Sequence, residues 1–451
     1  MNRRQFIGTA TALAAQQAPR KPNFVIIVTD DQGAHDLGCY GARDLLTPEI
    51  DKLAASGARF TNWYSNAPVC APSRAALMTG RYPARAGVSN NGQPLQPAQR
   101  TTASLLKPHG YATGLIGKWH LGDTSDTVPN SHGFDYFYGF HPGCVDFYSH
   151  RFYWGEGGAA RQVNFHSLFR NREEIFEDGE YLTDRITSEA CGFIRRAAAQ
   201  PFFLTVTYNA PHYPMHAPER YRLRFPASME EERRTYAAMI AAVDDGVGEI
   251  RRTLAQHGLL DDTMIAFIAD NGATTEPRAG LRQQPATAGH NDPYRGFKFS
   301  LFDGGMHVPG ILSWPGTIPA GQTIHELAMT MDLLPTVCAV AKAPIPGGYK
   351  VDGSDILPVA AKRAASPHGS ILWENGQQMA VRKDNWKLVL NGNPFGRTPD
   401  EKKQLTGEDA AFLTDLSVDP GETRNLRRAH PQVVDELTSM IHRWRIEVRG
   451  E

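Results

Sequence analysis

The chain has 451 residues, with 47 basic and 48 acidic side chains and a formal net charge of −1 at pH 7. This length is enough for one large domain with a buried core and a smaller domain beside it. Balanced charge excludes a global attraction to nucleic acid or to an anionic membrane surface, so we expect neither as a partner. Few cysteines and no CxxC pair argue against a disulfide framework or a zinc knuckle.

The first fifteen residues are typical of an export signal. Arg3 and Arg4 form a twin-arginine core, which is followed by the weakly apolar stretch IGTATALAA and by small residues suited to cleavage. No later stretch approaches the roughly 20 continuous apolar residues that a membrane span needs. We predict a twin-arginine-type signal peptide over residues 1–15 and a periplasmic or extracellular location without stable membrane association.

Two predicted buried strands end at acidic residues. The β-branched run FVIIV is followed by Asp30 and Asp31, and the run MIAFI is followed by Asp270 and Asn271. In open sheets with parallel strands, ligands bind outside the carboxyl ends of the strands. Carboxylate and amide oxygens are hard donors that favour Ca²⁺, with Mg²⁺ or Mn²⁺ as alternatives. We predict that these four residues form a divalent metal site.

Two further apolar runs end at basic residues. The run ATGLIG precedes Lys118 and His120, and the run FFLTVTY precedes His212. Helical patterns lie between the strands: after Thr47, after Ser73, from Ile186 and over residues 230–254. This alternation predicts an α/β fold with a mostly parallel central sheet flanked by helices, whose strand ends gather these side chains in one crevice.

The end of the chain has a different pattern. Three β-rich segments follow one another closely, with turn residues between them, as antiparallel strands do: GSILWE, QQMAVRKDNWKLVLNG and AFLTDLSVDPGE. A helical pattern begins at Pro431 and ends near Arg445. We predict a catalytic α/β domain over residues 22–362 and, over residues 363–451, a subdomain with a small antiparallel sheet and one helix. Residues 155–180 have weak periodicity, which is typical of a long surface excursion.

The sequence CAPSRAALMTGR, which begins at Cys70, is the most specific motif in the chain. A thiolate is a soft ligand and matches poorly with the hard oxygen donors predicted beside it. Together with GYATGLIGKWHLG at residues 110–122, the motif resembles the two signatures of the type I sulfatases, which belong to the alkaline phosphatase superfamily. The resemblance extends from PNFVIIVTDDQG to the DPGETRNL turn, and so covers nearly all of the mature chain.

This resemblance implies a role for each matching residue. Cys70 would be converted by a formylglycine-generating enzyme to formylglycine, which joins the metal site and whose hydrate is the nucleophile. Arg74, one helical turn further along, would neutralise developing charge and hold the hydrate. Lys118 and Lys298 are the implied sulfate-binding lysines. His120 would assist breakdown of the intermediate, and His212 would protonate the leaving oxygen.

The segment GFDYFYGFHPGCVDFYSH resembles the arylsulfatase B group, whose members act on sulfated sugars. The resemblance implies hydrolysis of sulfate esters on a sulfated small molecule or glycan. Two alternatives stay open, namely a phosphodiesterase or phosphonate monoester hydrolase of the same superfamily, and a non-catalytic protein that binds sulfated glycans. Aromatic and polar residues in and near the segment form a candidate platform for a sugar ring. They are Tyr138, Asp146, Tyr148, His150, Tyr153 and Trp154.

One position departs from the family pattern. Where many members read EGG followed by an arginine and VP, residues 303–309 of this chain read DGGMHVP. The substitution places His307 near the position of that arginine and removes any salt bridge that the arginine would make.

Overall fold

The computed structural model describes residues 20–153 and 165–450. The predicted signal peptide, Trp154 and part of the predicted excursion lie outside these residues. None of the described helices is both long enough and apolar enough to cross a bilayer. The described strands are β1 (Asn23–Thr29), β2 (Ala58–Phe60), β3 (Trp63–Tyr64), β4 (Ala112–Lys118), β5 (Tyr136–Phe140), β6 (Phe169–Arg170), β7 (Glu173–Glu174), β8 (Phe202–Thr207), β9 (Thr263–Ala269), β10 (Gly310–Ser313), β11 (Gln322–Ile324), β12 (Ala328–Met329), β13 (Ile371–Asn375), β14 (Gln378–Lys383), β15 (Trp386–Leu390) and β16 (Ala411–Asp415). The described α-helices are α1 (Pro48–Ala55), α2 (Cys70–Thr79), α3 (Pro83–Ala86), α4 (Thr102–Leu106), α5 (Leu182–Ala197), α6 (Glu219–Arg222), α7 (Glu231–Gln256), α8 (Asp303–Met306), α9 (Leu333–Ala341), α10 (Leu357–Lys362) and α11 (Pro431–Arg449).

A central sheet joins ten strands in the order β11-β2-β10-β9-β1-β8-β4-β5-β6-β7. The five strands from β9 to β5 run parallel to one another, whereas β10 and β6 pair antiparallel with their neighbours in the sheet. Strand β1 is apolar at successive positions because both of its faces are covered. Val25 and Ile27 lie in the cluster containing α5 and α7, and Phe24, Ile26 and Val28 lie in the cluster containing α2 and α9. The predicted α/β class is confirmed.

The helix that carries the cysteine motif begins earlier than predicted. The sequence pattern starts it after Ser73, but α2 starts at Cys70 and includes Pro72. Proline fits there because the first N–H groups of a helix have no partner within the helix. As a result, Cys70 lies at the first helical position, and Arg74 lies one turn further on the same helix.

A second, four-stranded antiparallel sheet has the order β13-β14-β15-β16, and α11 packs against it. This confirms the predicted small antiparallel sheet with one helix, although the helix continues to Arg449 rather than ending near Arg445. Apolar residues of this sheet share a cluster with Leu301, Phe302 and Met306. The small sheet therefore packs directly on the chain segment that follows Lys298.

His307, which stands where many family members have arginine, packs between two tyrosine rings, and a lysine of the small sheet pairs with the nearby Asp303. The ring of His307 lies between Tyr64 and Tyr294, with centroid distances of 4.7 and 4.1 Å, and His307 does not line the candidate cleft described below. The nearby carboxylate of Asp303 accepts a hydrogen bond from Lys387 Nζ at 2.5 Å. Burial alone would raise the pKa of Asp303, but the charge of Lys387 holds it well below its ordinary value. A cation from β15 thus pairs with the buried acid.

A hydrogen-bonded pair, His368 and Asp332, links the segment before β13 to the start of α9. Nε2 of His368 lies 2.8 Å from Asp332 Oδ2, and both side chains are buried. Burial lowers the pKa of His368, but the hydrogen bond and charge of Asp332 outweigh it and raise the pKa above 6.5. A raised pKa in the folded state stabilises the protein below the unfolded-state pKa, and this contribution disappears as pH rises through the folded-state pKa.

We therefore expect His368→Gln to lower the free energy of unfolding by about 1–2 kcal/mol at pH 5.5 and by less at pH 9. Urea unfolding of both proteins at the two pH values measures this difference. His257→Gln, at an exposed position after α7, is the matched control and should change little at either pH. A difference for His368→Gln that does not depend on pH would contradict the prediction.

Candidate active site

A cleft of about 610 Å³ lies at the carboxyl ends of the parallel strands. Asp30 and Asp31 directly follow β1, and Asp270 and Asn271 directly follow β9. Parallel neighbours end at the same edge of a sheet, which brings these residues together beneath the cleft. Four of the predicted catalytic residues line the cleft itself: Cys70, His120, His212 and Lys298.

The two predicted residues of α2 reach the acidic strand ends. The thiol of Cys70 donates a hydrogen bond to Asp30 Oδ1 at 3.6 Å. The guanidinium of Arg74 donates to Asp270 Oδ2 at 2.8 Å, to Asp30 Oδ2 at 3.2 Å and to the carbonyl of Lys118 at 3.2 Å. Burial raises the pKa of the Cys70 thiol well above its ordinary value. A neutral thiol is a poor nucleophile, so the unmodified cysteine is unsuited to attack.

The backbone at Asp31 turns so that two consecutive carboxylates face one point. Asp31 has a φ of 56°, which is the left-handed region, and its N–H donates to Asp270 Oδ1 at 3.2 Å. Asn271 Nδ2 donates to Asp31 Oδ1 at 2.7 Å, whereas the buried Oδ1 of Asn271 accepts no hydrogen bond from the residues that the structure describes. A buried oxygen without a donor costs free energy unless another group satisfies it, and a cation can do so.

Four buried side chains lie close enough together to bind one metal ion. Asp30, Asp31, Cys70 and His212 each offer a ligand atom, and these atoms lie within 4.8 Å of one another. The predicted ligand Asp270 is instead engaged by Arg74 through its Oδ2 atom. The cluster could therefore hold a metal ion. It includes His212, whose predicted role was only to protonate the leaving oxygen.

The two aspartates that follow β1 have opposite pKa shifts. Burial raises the pKa of Asp31 to about 7, where the attraction of Lys298 is opposed by the negative charges of Asp30 and Asp270. Burial would also raise the pKa of Asp30, but Lys118 Nζ lies 2.5 Å from its Oδ2 atom and holds this pKa well below its ordinary value. Around the cleft floor, four carboxylates are matched by four cations, so the group carries no excess charge when all are ionised. The carboxylates are Asp30, Asp31, Asp270 and Glu276, and the cations are Arg74, Lys118, Lys298 and Arg278.

His120 follows β4 and contributes an imidazole to the wall of the cleft. Its φ is 56°, and its ring packs so closely on Gly143 that a Cβ there would lie 2.7 Å from Nε2. Burial and the charge of Lys118 lower the pKa of His120 well below its ordinary value. Nδ1 of His120 is buried and has no hydrogen-bond partner among the described residues. The ring is therefore neutral and retains an unused polar atom.

His212 and Lys298 form a pair at the opposite wall. Nδ1 of His212 donates to the carbonyl of Tyr213 at 2.7 Å, which leaves the Nε2 lone pair directed toward Lys298 Nζ at 3.4 Å. Burial lowers the pKa of His212 to about 3. Lys298 also contacts Asp31 at 2.9 Å and Glu276 at 3.1 Å, so one ammonium group links the histidine to the acidic cluster.

Sequence reasoning missed three polar or aromatic residues beside Lys298. Glu276 binds this lysine, and Arg278 Nη2 donates to the hydroxyl of Tyr213 at 2.8 Å, all three lying on the cleft wall. Glu276 and Arg278 follow Asn271 in the sequence NGATTEPRAG, so their position just beyond a strand end was the available signal. Tyr213 directly follows His212.

The predicted sugar platform is wrong for this cleft, because none of its five described residues, Tyr138, Asp146, Tyr148, His150 and Tyr153, lines it. Tyr138 and His150 are fully buried, and the hydroxyl of Tyr138 donates to Glu177, so neither side chain can contact a ligand in the cleft. The weak periodicity of this segment does not tell which of its aromatic residues enter the core. Phe152 and Phe165 line the cleft instead, with stacked rings 5.2 Å apart.

Comparisons with known proteins identify relatives of this chain by sequence and by structure. A family model described as Sulfatase matches residues 22–343. Human steryl-sulfatase is 31% identical over 511 aligned positions, which cover 92% of this chain and 86% of that protein. N-acetylgalactosamine-6-sulfatase of Canis lupus familiaris is 33% identical and covers 95% of this chain and 86% of its own. The solved structure of Ps i-CgsB in complex with k-i-k-neocarrahexaose has a TM-score of 0.81 and 30% identity, covering 94% of this chain and 93% of that chain.

Proposed function

Because the chain belongs to the sulfatase family of sulfuric ester hydrolases, we propose that it hydrolyses sulfate esters of a carbohydrate with a nucleophile derived from Cys70 and a bound divalent cation. One observation carries this proposal. Cys70, three buried cations and four carboxylates converge on one end of a single cleft. A sulfate ester has negative charge on its peripheral oxygens and develops more on its leaving oxygen, so its cleavage needs fixed cations beside the nucleophile.

Cys70 is the residue from which the nucleophile derives. We propose that a formylglycine-generating enzyme converts it to formylglycine, whose hydrate supplies a hydroxyl group for attack on sulfur. The buried, neutral thiol supports this conversion, because it could not itself act as a thiolate. Arg74 lies one turn away on α2 and is held by Asp30 and Asp270, so it would stabilise negative charge beside the nucleophile without reorganisation.

We propose that the cation is Ca²⁺, with Mg²⁺ or Mn²⁺ as alternatives, held by Asp30, Asp31, Asp270, Asn271 and the oxygen that replaces sulfur at residue 70. Hard oxygen donors support this choice, as does the unsatisfied Oδ1 of Asn271. A bound dication would supply positive charge to the peripheral sulfate oxygens and the nucleophile. Sulfur is a poor match to this donor set, which also favours conversion of the cysteine.

The remaining residues would bind sulfate and move protons. The ammonium group of Lys298 contacts Asp31 and Lys298 lines the cleft, whereas Lys118 is buried and contacts Asp30. We propose that both ammonium groups bind sulfate oxygens. Nε2 of His212 lies beside Lys298 and can relay a proton to the leaving oxygen. His120 is neutral and has an unused Nδ1 atom, so it can accept a proton during release of sulfate from the nucleophile.

A sugar is the alcohol that the cleft fits best. The cleft volume of about 610 Å³ is large enough for a sugar ring. The stacked rings of Phe152 and Phe165 offer apolar faces to a pyranose. Polar atoms of Arg278 and Asn91 on the same cleft can bond hydroxyl groups. The names of two relatives also point to sugars, N-acetylgalactosamine in one and a carrahexaose in the other. From the first fifteen residues we further propose export to the periplasm or the exterior.

The test compares three substrates: an aryl sulfate, an aryl phosphate diester and an aryl phosphonate monoester. The protein is produced together with a formylglycine-generating enzyme and supplied with Ca²⁺. We expect sulfate ester turnover to exceed that of both phosphorus esters by at least about 100-fold in kcat/KM, since the site is built for one charge distribution. A phosphorus ester with the highest kcat/KM would contradict the proposal and favour the phosphodiesterase or phosphonate hydrolase alternative.

A further inference from the structure

A second pocket of about 380 Å³ adjoins the catalytic cleft. The two share Glu276, Lys298 and Phe299 as walls, so the ammonium group that contacts the acidic cluster also borders this pocket. The other walls are Thr274, Thr275 and Pro277 from the loop after β9, and Phe395 and Lys402 from the loop between β15 and β16. A group bonded to the esterified sugar can therefore extend from the cleft into this pocket.

Two half-buried aromatic rings pack against each other and line the pocket together. The ring centroids of Phe299 and Phe395 are 5.7 Å apart and tilted by 51°. Both residues have left-handed backbone, with φ values of 76° and 51°, which is rare for bulky side chains. Such strain costs of order 1–3 kcal/mol per residue and concentrates at ligand clamps and active sites. The strain therefore gives a reason to look for a ligand here.

Hydrogen bonds from the small sheet hold this backbone in place. The carbonyl of Phe299 accepts bonds from Asn375 Nδ2 at 2.7 Å and from Gln378 Nε2 at 2.9 Å. The carbonyl of Phe395 accepts a bond from Thr275 Oγ1 at 2.6 Å. The aromatic walls are therefore fixed before any ligand arrives, and such preorganisation favours binding.

The pocket also has a positive charge at its rim. Lys402 is exposed, and its ammonium group makes no ion pair with any of the described residues. The neighbouring Lys403, by contrast, is paired with Asp400 at 2.8 Å and does not line the pocket. An available cation beside two aromatic rings suits a ligand with apolar faces and an anionic substituent, which describes a sulfated or carboxylated sugar better than an apolar alcohol.

We propose that this pocket binds the sugar unit next to the esterified one, with its ring against Phe299 and Phe395 and its own anionic group at Lys402. The proposal rests on the proposed function and adds a substrate class, namely oligosaccharides with a negative charge on consecutive units. Phe299 and Phe395 would select a second ring, and Lys402 would select a second charge.

The experiment measures sulfate release from three substrates in the galactose and N-acetylgalactosamine series: a monosulfated monosaccharide, a monosulfated disaccharide and a disaccharide with sulfate on both units. We expect kcat/KM for the disulfated disaccharide to exceed that for the monosulfated one by about fivefold, the effect of one partly exposed ion pair. Lys402→Gln should bring this ratio close to one, whereas Lys403→Gln should leave it unchanged. Phe395→Ala should lower kcat/KM for both disaccharides about tenfold relative to the monosaccharide.

Different results would contradict the pocket assignment and the proposed sulfatase function. A ratio in Lys402→Gln equal to that of the native protein would overturn the pocket assignment, as would a disaccharide no better than its monosaccharide. Higher kcat/KM for a steryl sulfate than for every disaccharide would assign the pocket to an apolar alcohol instead. Failure to cleave even an aryl sulfate would count against the proposed function itself. Melting temperatures of the variants confirm that each one is folded.

Discussion

Cys70→Ala is expected to lower kcat for aryl sulfate hydrolysis by at least about 10³-fold, because it removes the atom from which the nucleophile derives. The side chain is buried at the start of α2, and alanine fits the same helical position without a new polar group. Substrate binding should persist because the cations that bind sulfate remain. Steady-state kinetics, together with calorimetric binding of a sulfated oligosaccharide, measure both effects.

Cys338→Ala provides the matched control for this loss. Cys338 is also buried, but it lies on α9 in a small apolar cluster with Leu105 and Leu334, away from the cleft. Its replacement should leave kcat unchanged and lower stability by only about 1 kcal/mol. If Cys70→Ala retained the native kcat, the assignment of the nucleophile to Cys70 would be wrong. If no turnover occurred in either protein while sulfated glycans still bound, a non-catalytic binding protein would be favoured.

Removal of divalent metal is the second change with a large expected effect. A chelator should abolish sulfate ester turnover, and added Ca²⁺ should restore it, because the proposed cation supplies positive charge to the sulfate oxygens and the nucleophile. A ligand that binds only the folded protein stabilises it by about 2.7 kcal/mol when its free concentration is 100 times its Kd. Thermal unfolding with and without Ca²⁺ therefore measures occupancy independently of activity.

Asp31→Asn tests whether this stabilisation arises at the proposed site. The substitution keeps the size of the side chain but removes one of the charges that face Asn271 and Lys298. We expect the Ca²⁺-dependent rise in melting temperature to be lost, while Asp400→Asn, at a side chain that is 91% exposed, retains it. A Ca²⁺ response in Asp31→Asn equal to that of the native protein would place the metal elsewhere.

Local patterns in the sequence predicted most of the fold because each of them has a local physical cause. Strand β1 is apolar at consecutive positions since both faces are covered, and α7 follows its helical period almost to the residue. The predicted start of α2 after Ser73 was wrong because Pro72 fits the first turn of a helix, so the helix extends back to Cys70. Tyr138 and His150 were misassigned because aromatic and polar residues in an irregular segment carry no period that distinguishes core from surface.

The sequence by itself determined the α/β class, the acids at the strand ends and the cysteine motif, because strand ends and helix starts are set by neighbouring residues. Tertiary structure alone decided which further side chains meet those at the strand ends. The contacts of Lys298 with Glu276 and His212 join chain segments that are far apart, and the pocket lined by Phe299 and Phe395 exists only because the small sheet packs against the central one. Such contacts depend on how distant elements pack, and no local pattern of residues encodes that packing.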